Sequence, residues 1–244
     1  MPARSSAKKP AFAAASRKCG SSLKKSGLRY RKARGVPAKA DPIAQKAFHD
    51  GTLQPLLKKA LAGKRRVFFA AAAHFVRGAF LAYLWCFVRW VVPTGAGRQR
   101  YSVLGALDAA TRTLIRETTD GNVNEVTASR LLLKIRAAHP DGPISVVWDN
   151  ARYQHTPLVR NIARAARIDL VYLPPYSPNL NLIERVWKFT KKTALANRTF
   201  ADFAAFRTAI DSTLDQLATT HQAKMKSLLT LNFETLETAS ISPA

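Results

Sequence analysis

Acidic residues are scarce in this chain of 244. Only 15 Asp and Glu stand against 39 Lys and Arg, a formal net charge of +24. That excess argues against an electrically balanced surface and for a polyanionic partner, most simply nucleic acid; a solvated basic surface is the bland alternative. Cysteine is nearly absent. Cys19 and Cys86 are far apart, in unlike contexts and without CxxC spacing. Neither a disulfide framework nor a zinc site is supported, and a reducing cytoplasm fits best. Long apolar runs are missing too. The opening MPARSSAKKPAFAAASRKC holds only a short, weak apolar stretch and does not read as a secretory signal. The most apolar region, Val67 to Pro93, is broken by His74, Arg77 and Arg89 into pieces of about ten residues, too short to cross a bilayer. It reads as buried strands, and no membrane partner is expected.

Residues 1–40 contain no Asp or Glu and 12 Lys or Arg. This is the pattern of a loosely folded basic arm, suited to phosphate contact or simply to solubility. Asp41 followed by Pro42 predicts a capped helix, with Ile43, Phe48, Leu53, Leu56 and Leu57 as apolar positions and Gly63 as its stop. Residues 41–66 are thus a linker helix. Strands are predicted at 67–76, 79–91, 100–108 and 113–118, with turn chemistry at Thr94-Gly95-Ala96-Gly97. A helix at 124–138 follows, capped by Asn122 or Asn124. Then come strand 144–149, helix 156–166, strand 168–173, helix 181–196 and a last helix at 201–218. Antiparallel strands followed by βαβ units predict an α/β fold, a mixed sheet with helices on both faces. The main domain is read as 67–220 and the C-terminal tail as 221–244.

Against this background two of the few carboxylates occupy marked positions. Asp149 ends the apolar strand Ile144-Ser145-Val146-Val147-Trp148, where sites in α/β sheets gather; it could equally begin a turn. Glu184 follows the proline-stiffened segment Pro174-Pro175-Tyr176-Ser177-Pro178. Asn181 could cap the following helix, with Glu184 three residues on as a capping box. Ile183, Val186, Trp187 and Thr190 supply that helix with a buried face, so a carboxylate on its first turn would be firmly held. The two acids are separated by 34 residues, positions 150 to 183.

WDNARYQH followed by LPPYSPNLNLIERVWKF resembles the endonuclease domain of Tc/mariner-superfamily transposases in their bacterial insertion-sequence branch, over roughly Ala38 to Leu217. VFFAAAAHFVRGAFLAYLWCFVRW and RQRYSVLGAL share the likeness. The resemblance implies a ribonuclease-H-like fold and an Asp-Asp-Glu triad holding Mg²⁺ or Mn²⁺ for strand cleavage and transfer, with Asp149 and Glu184 as its second and third members. Two such ions, roughly 3.5–4 Å apart, serve an in-line displacement at phosphorus. It further implies DNA partners (element ends and a TA-containing target), a homodimer or higher assembly on DNA, and a bacterial, nucleoid-associated location in the cytoplasm.

The frame F-F-(A or V)-D-A-A-H-F, where the resemblance puts the first Asp, is matched by Phe68-Phe69-Ala70-Ala71-Ala72-Ala73-His74-Phe75, and Ala71 falls on the acid. Ala71 offers a metal no oxygen, so binding is expected to be weak or absent, and one of the two remaining carboxyls should have a raised pKa. Asp108 is the nearest substitute, but reads as a turn residue. The expectation is therefore a transposase endonuclease domain impaired in catalysis, or an inactive remnant that binds DNA, oligomerises and interferes with transposition.

The segment Leu23 to Lys32 resembles only the tail of a helix-turn-helix region, so non-specific phosphate contact is expected there from Arg29, Arg31 and Lys32. Arg152, Lys188, Lys191 and Lys192 are further candidates for phosphate contact. Asn150 is read as orienting Asp149 or as a turn residue, and His155 as near the site. His74 is read as a core or strand histidine. Trp85, Trp90, Trp148 and Trp187 are read as core.

Overall fold

In the computed structural model, residues 39–78, 80–83, 87, 91–92 and 99–235 are described. They begin with helix α1 (Pro42–Phe48), a π turn (His49–Leu53) and helix α2 (Gln54–Leu61). The expected cap is present: Asp41 accepts from the N–H groups of Ile43 at 2.9 Å and Ala44 at 3.1 Å, and Pro42, at the first helical position, has no N–H to satisfy. The single helix expected to Ala62 is instead divided by the π turn, which contains Gly51.

Five strands form one sheet: β1 (Arg66–Val76), β2 (Arg100–Asp108), β3 (Leu114–Thr119), β4 (Ile144–Trp148) and β5 (Ile168–Tyr172). Their order is β3-β2-β1-β4-β5. The β1–β2 and β2–β3 pairs are antiparallel, and the β1–β4 and β4–β5 pairs are parallel. All five residues of β4 are buried, as an inner strand covered on both faces requires.

Alternation along β1 divides the core in two. Phe69, Ala71, Ala73 and Phe75 share one cluster with α2, helix α5 (Ile183–Thr190), helix α6 (Phe203–Asp215) and helix α7 (Gln222–Leu228). Phe68 and Ala70 share the other with helices α3 (Glu125–Ala138) and α4 (Pro157–Ala165). The order, the mixed pairing and the two helical layers make this a ribonuclease-H-like fold. Asn124, not Asn122, caps α3, through Thr127 N–H at 3.0 Å; Asn122 Oδ1 accepts from Arg100 instead.

Three expectations fare differently. Phe80 makes only an isolated bridge to Ala196, and the described residues between 81 and 92 form no strand. They are not buried either: Tyr83 is 106% and Phe87 111% exposed relative to a free residue. Past Val76 the Arg77 N–H still donates to the Gln99 carbonyl at 2.9 Å, but none of the described residues continues β1 as a strand. Trp85, Trp90, the Thr94–Gly97 turn, and Arg29, Arg31 and Lys32 lie outside the described residues, whereas Trp148 and Trp187 are core. Finally, the segment read as a tail holds α7, whose Met225 is buried in the first cluster together with Leu229.

Candidate active site

Asp149 follows the last residue of β4. Trp148 lies opposite Ala70 in the parallel β1–β4 register, so one residue farther along each strand come Asp149 and Ala71. Val147 belongs to the α5 side of the sheet, and the period of two returns Asp149 to that side. Ala71 lies there as well, 0% exposed, in one cluster with Ile183 and Trp187.

Glu184 stands on the first turn of α5. What lets α5 lie so close to the sheet is Gly105, directly opposite Ala71 in the β1–β2 register. A Cβ built on Gly105 would stand 2.7 Å from Trp187 Cη2 and 2.9 Å from Ile183 Cδ1. Glycine is therefore a packing requirement at this position rather than a source of flexibility.

The capping box expected at Asn181 does not form. Asn181 is buried, and its Nδ2 donates 3.1 Å to the carbonyl of Ala70, tying the proline loop to β1. Its Oδ1 is buried without a hydrogen-bond partner, an orphaned acceptor next in space to the Ala70–Ala71 segment. Glu184 is thus released from a capping role. Its carboxyl pKa is raised, first by burial and then by the charge of Asp149, against the opposing pull of Lys188 and Lys191. The two acids are therefore within electrostatic reach of each other.

Asp149 is oriented by a residue the sequence reading passed over. Gln154 is fully buried and donates from Nε2 to Asp149 Oδ1. Its Oε1 accepts from Ala151 N–H at 3.0 Å, and its backbone carbonyl accepts from the Tyr172 hydroxyl at 3.0 Å. A glutamine five places after an acid carries no periodic signal; only the 3₁₀ turn Arg152–His155 brings it back. Asn150 does not orient Asp149. It takes a left-handed φ of 73°, as asparagine tolerates, and pairs with His155 Nε2. His155 also stacks on Tyr172, ring centroids 4.2 Å apart.

Lys188 and Lys191 follow Glu184 at helical spacing; Lys188 is exposed and Lys191 half-buried. Lys192 and Arg152 are exposed. His74 is a strand residue, as read, but exposed rather than core, with Nδ1 2.9 Å from Ser102 Oγ. Asp108 does not reach the carboxylate pair. It lies opposite Phe68, on the α3 side of the sheet, where its Oδ1 accepts from Ala110 and Thr111 N–H in a turn.

Asp149, exposed at the carboxyl end of a central strand, and Glu184, half-buried on the facing helix, thus lie beside the lysines of that helix. The family described as DDE superfamily endonuclease matches residues 89–207. The matched stretch, about half of the chain, is similar to the DDE superfamily endonucleases, holds both Asp149 and Glu184, and begins after Ala71.

The fold is similar to that of the Mos1 transposase paired-end complex with left transposon end: 16% identity and a TM-score of 0.57, covering 89% of this chain and 71% of the other. It is similar also to the Mos1 mariner paired end complex with Mn: 14% identity and a TM-score of 0.58, covering 89% and 72%. A 73-residue stretch, 30% of the chain, is 37% identical to the uncharacterized protein y4pE/y4sA of Sinorhizobium fredii (strain NBRC 101917 / NGR234). The chain spans 52% of that relative's length.

The donor set can be tested against divalent ions such as the Mn of the Mos1 mariner complex. Mg²⁺ and Mn²⁺ take hard oxygen ligands, and a two-ion site with a shared ligand needs a bridging carboxylate in addition to Asp149 and Glu184. Ala71 presents a methyl at the adjoining position. Among the described residues no cluster of three or more His, Cys, Asp or Glu could hold a metal ion. The residues present do not fit a two-ion site. No helix among the described residues is long and apolar enough to cross a membrane.

Proposed function

We propose that this chain is the endonuclease domain of a Tc/mariner-like insertion-sequence transposase that engages DNA across the Asp149–Glu184 end of the sheet and is impaired in strand cleavage. The observation that carries the proposal is the placement of Ala71: fully buried, on the α5 side, and level with Asp149. DNA engagement is supported by the charge. Of the +24, +12 belongs to residues 1–40, leaving 27 basic against 15 acidic residues and hence +12 for the remainder. Arg152, Lys188, Lys191 and Lys192 are the phosphate-contacting residues of the domain, and Arg29, Arg31 and Lys32 those of the arm. Gln154 holds the Asp149 carboxylate. Element ends, a TA-containing target, assembly as a homodimer or larger complex, and a cytoplasmic, nucleoid-associated location belong to the same proposal.

The test is Ala71→Asp. The restored acid should give Mg²⁺- or Mn²⁺-dependent nicking of element-end DNA where the unaltered chain gives little or none. Robust metal-dependent cleavage by the unaltered chain would refute the impairment. The same observation favours a second reading, in which an inert subunit joins and disables assemblies of intact transposase. Mixing the chain with an active relative should then depress that relative's transposition in proportion to the ratio of the two.

A further inference from the structure

Beyond the carboxylates, β1 and α5 run on together. His74 is three residues past Ala71, about 10 Å along the strand. Lys191 is seven residues past Glu184, about 10 Å along the helix. Trp187 meets Phe75 edge to face with centroids 6.4 Å apart, and Lys191 Nζ lies 5.9 Å from the Phe75 ring centre. Strand and helix therefore reach the same place. A groove of about 350 Å³ opens there, lined by His74, Phe75, Val76, Phe80, Lys191 and Leu195 among others. Pockets of roughly 300–1,000 Å³ hold small organic ligands.

The walls of this groove are held by bonds. Phe75 forms the floor, 1% exposed, while Phe80 remains 39% exposed. The Phe80 carbonyl accepts from Asn197 N–H at 2.9 Å. The Asn197 amide grips Ala82 from both sides, accepting from its N–H at 2.8 Å and donating to its carbonyl at 3.1 Å. Asn197 adopts a φ of 55°, which asparagine accepts at small cost. Charge at the rim has one sign. Arg100 lies opposite Val76 in the β1–β2 register and Lys191 lines the groove; burial, then Arg100 and then Lys191 lower the His74 pKa. Among the described residues lining the groove none is acidic.

An exposed aromatic wall beside a cation, without acids, matches what unpaired nucleic acid selects: a π face for the base and a positive group for the phosphate. A duplex cannot enter a space of this size. We infer that the groove receives one unpaired nucleotide of the strand lying across the Asp149–Glu184 end, with its base against Phe80 and its phosphate at Lys191. The inference rests on the DNA-engaging reading above and adds the form of DNA that the domain takes up.

The full chain in EDTA, exposed to ultraviolet light with a short oligothymidylate carrying 5-iodouracil, provides the test. Peptide mass spectrometry should place an adduct between His74 and Phe80. Phe80→Ala should reduce that adduct roughly tenfold, the scale of losing one stacked base, while duplex binding measured on the same protein stays unchanged. Lys191→Ala should weaken both. Adducts confined to residues 1–38, or equal losses for single strand and duplex in Phe80→Ala, would overturn the groove and leave the DNA reading intact. Failure of the unaltered chain to bind either form would overturn both.

Discussion

Replacing Gly105 with alanine tests how the site is held. The added Cβ would stand 2.7 and 2.8 Å from Trp187 Cη2 and Cζ2 and 2.9 Å from Ile183 Cδ1. Ordinary contact between carbon atoms begins near 3.5 Å, so the helix or the indole must give by about 0.6 to 0.8 Å. Neither can do so freely. Trp187 is buried and packed edge-on against Phe75, and α5 is tied at its start by the Asn181 bond to Ala70. Overpacking of this kind costs about 1–3 kcal/mol. At about 2–4 °C per kcal/mol for a chain of this size, Gly105→Ala should lower Tm by roughly 2–12 °C and alter the near-ultraviolet circular dichroism of the tryptophans. Because Glu184 sits between Ile183 and Trp187 on the same helix, the carboxyl moves with them. A variant whose Tm and tryptophan signal both match the parent would show that α5 does not need the glycine, and the account of how Glu184 is positioned would fail.

Two further substitutions bear on the same helix. The raised pKa of Glu184 means that its charged form is disfavoured in the folded state. The sign follows: a favourable contribution is fully present below the unfolded carboxyl pKa and is lost as pH rises through the folded one. Glu184→Gln should therefore gain stability over the parent between acidic and neutral pH in urea titrations; a constant difference across that range would count against the carboxylate pairing. On the other side of the helix, Arg185 donates to the carbonyls of Leu228 at 3.1 Å, Thr230 at 2.7 Å and Asn232 at 2.7 Å, and its guanidinium lies 5.5 Å from the centre of the Phe233 ring. Arg185→Met should cost about 1.5–3 kcal/mol and raise amide exchange across residues 228–233; unchanged exchange there would mean that the strap holds without the arginine.

Much of the fold was legible in the chain because its signals are local. Asp41-Pro42, Asn124 and the alternating or fully apolar strands each act through neighbours a few residues away, and each formed where expected. Among the described residues of 79–91 only Phe80 pairs, in an isolated bridge to Ala196; strand composition does not by itself supply a partner. Gln154 and the strap after α7 escaped notice because their partners are set by the turn of the chain and by packing, not by period.

The carboxylate pair shows the same division. The types, order and spacing of Asp149 and Glu184, and the alanine in the motif at position 71, were determined by the sequence alone, since they are properties of the chain as written. That Asp149 and Glu184 share one face, that Gly105 admits the helix bearing one of them, and that Ala71 lies level with Asp149 depend on strand register and on α5 lying against the sheet. Those are contacts between residues distant in the chain, and the tertiary structure decides them because only packing brings such residues within van der Waals range.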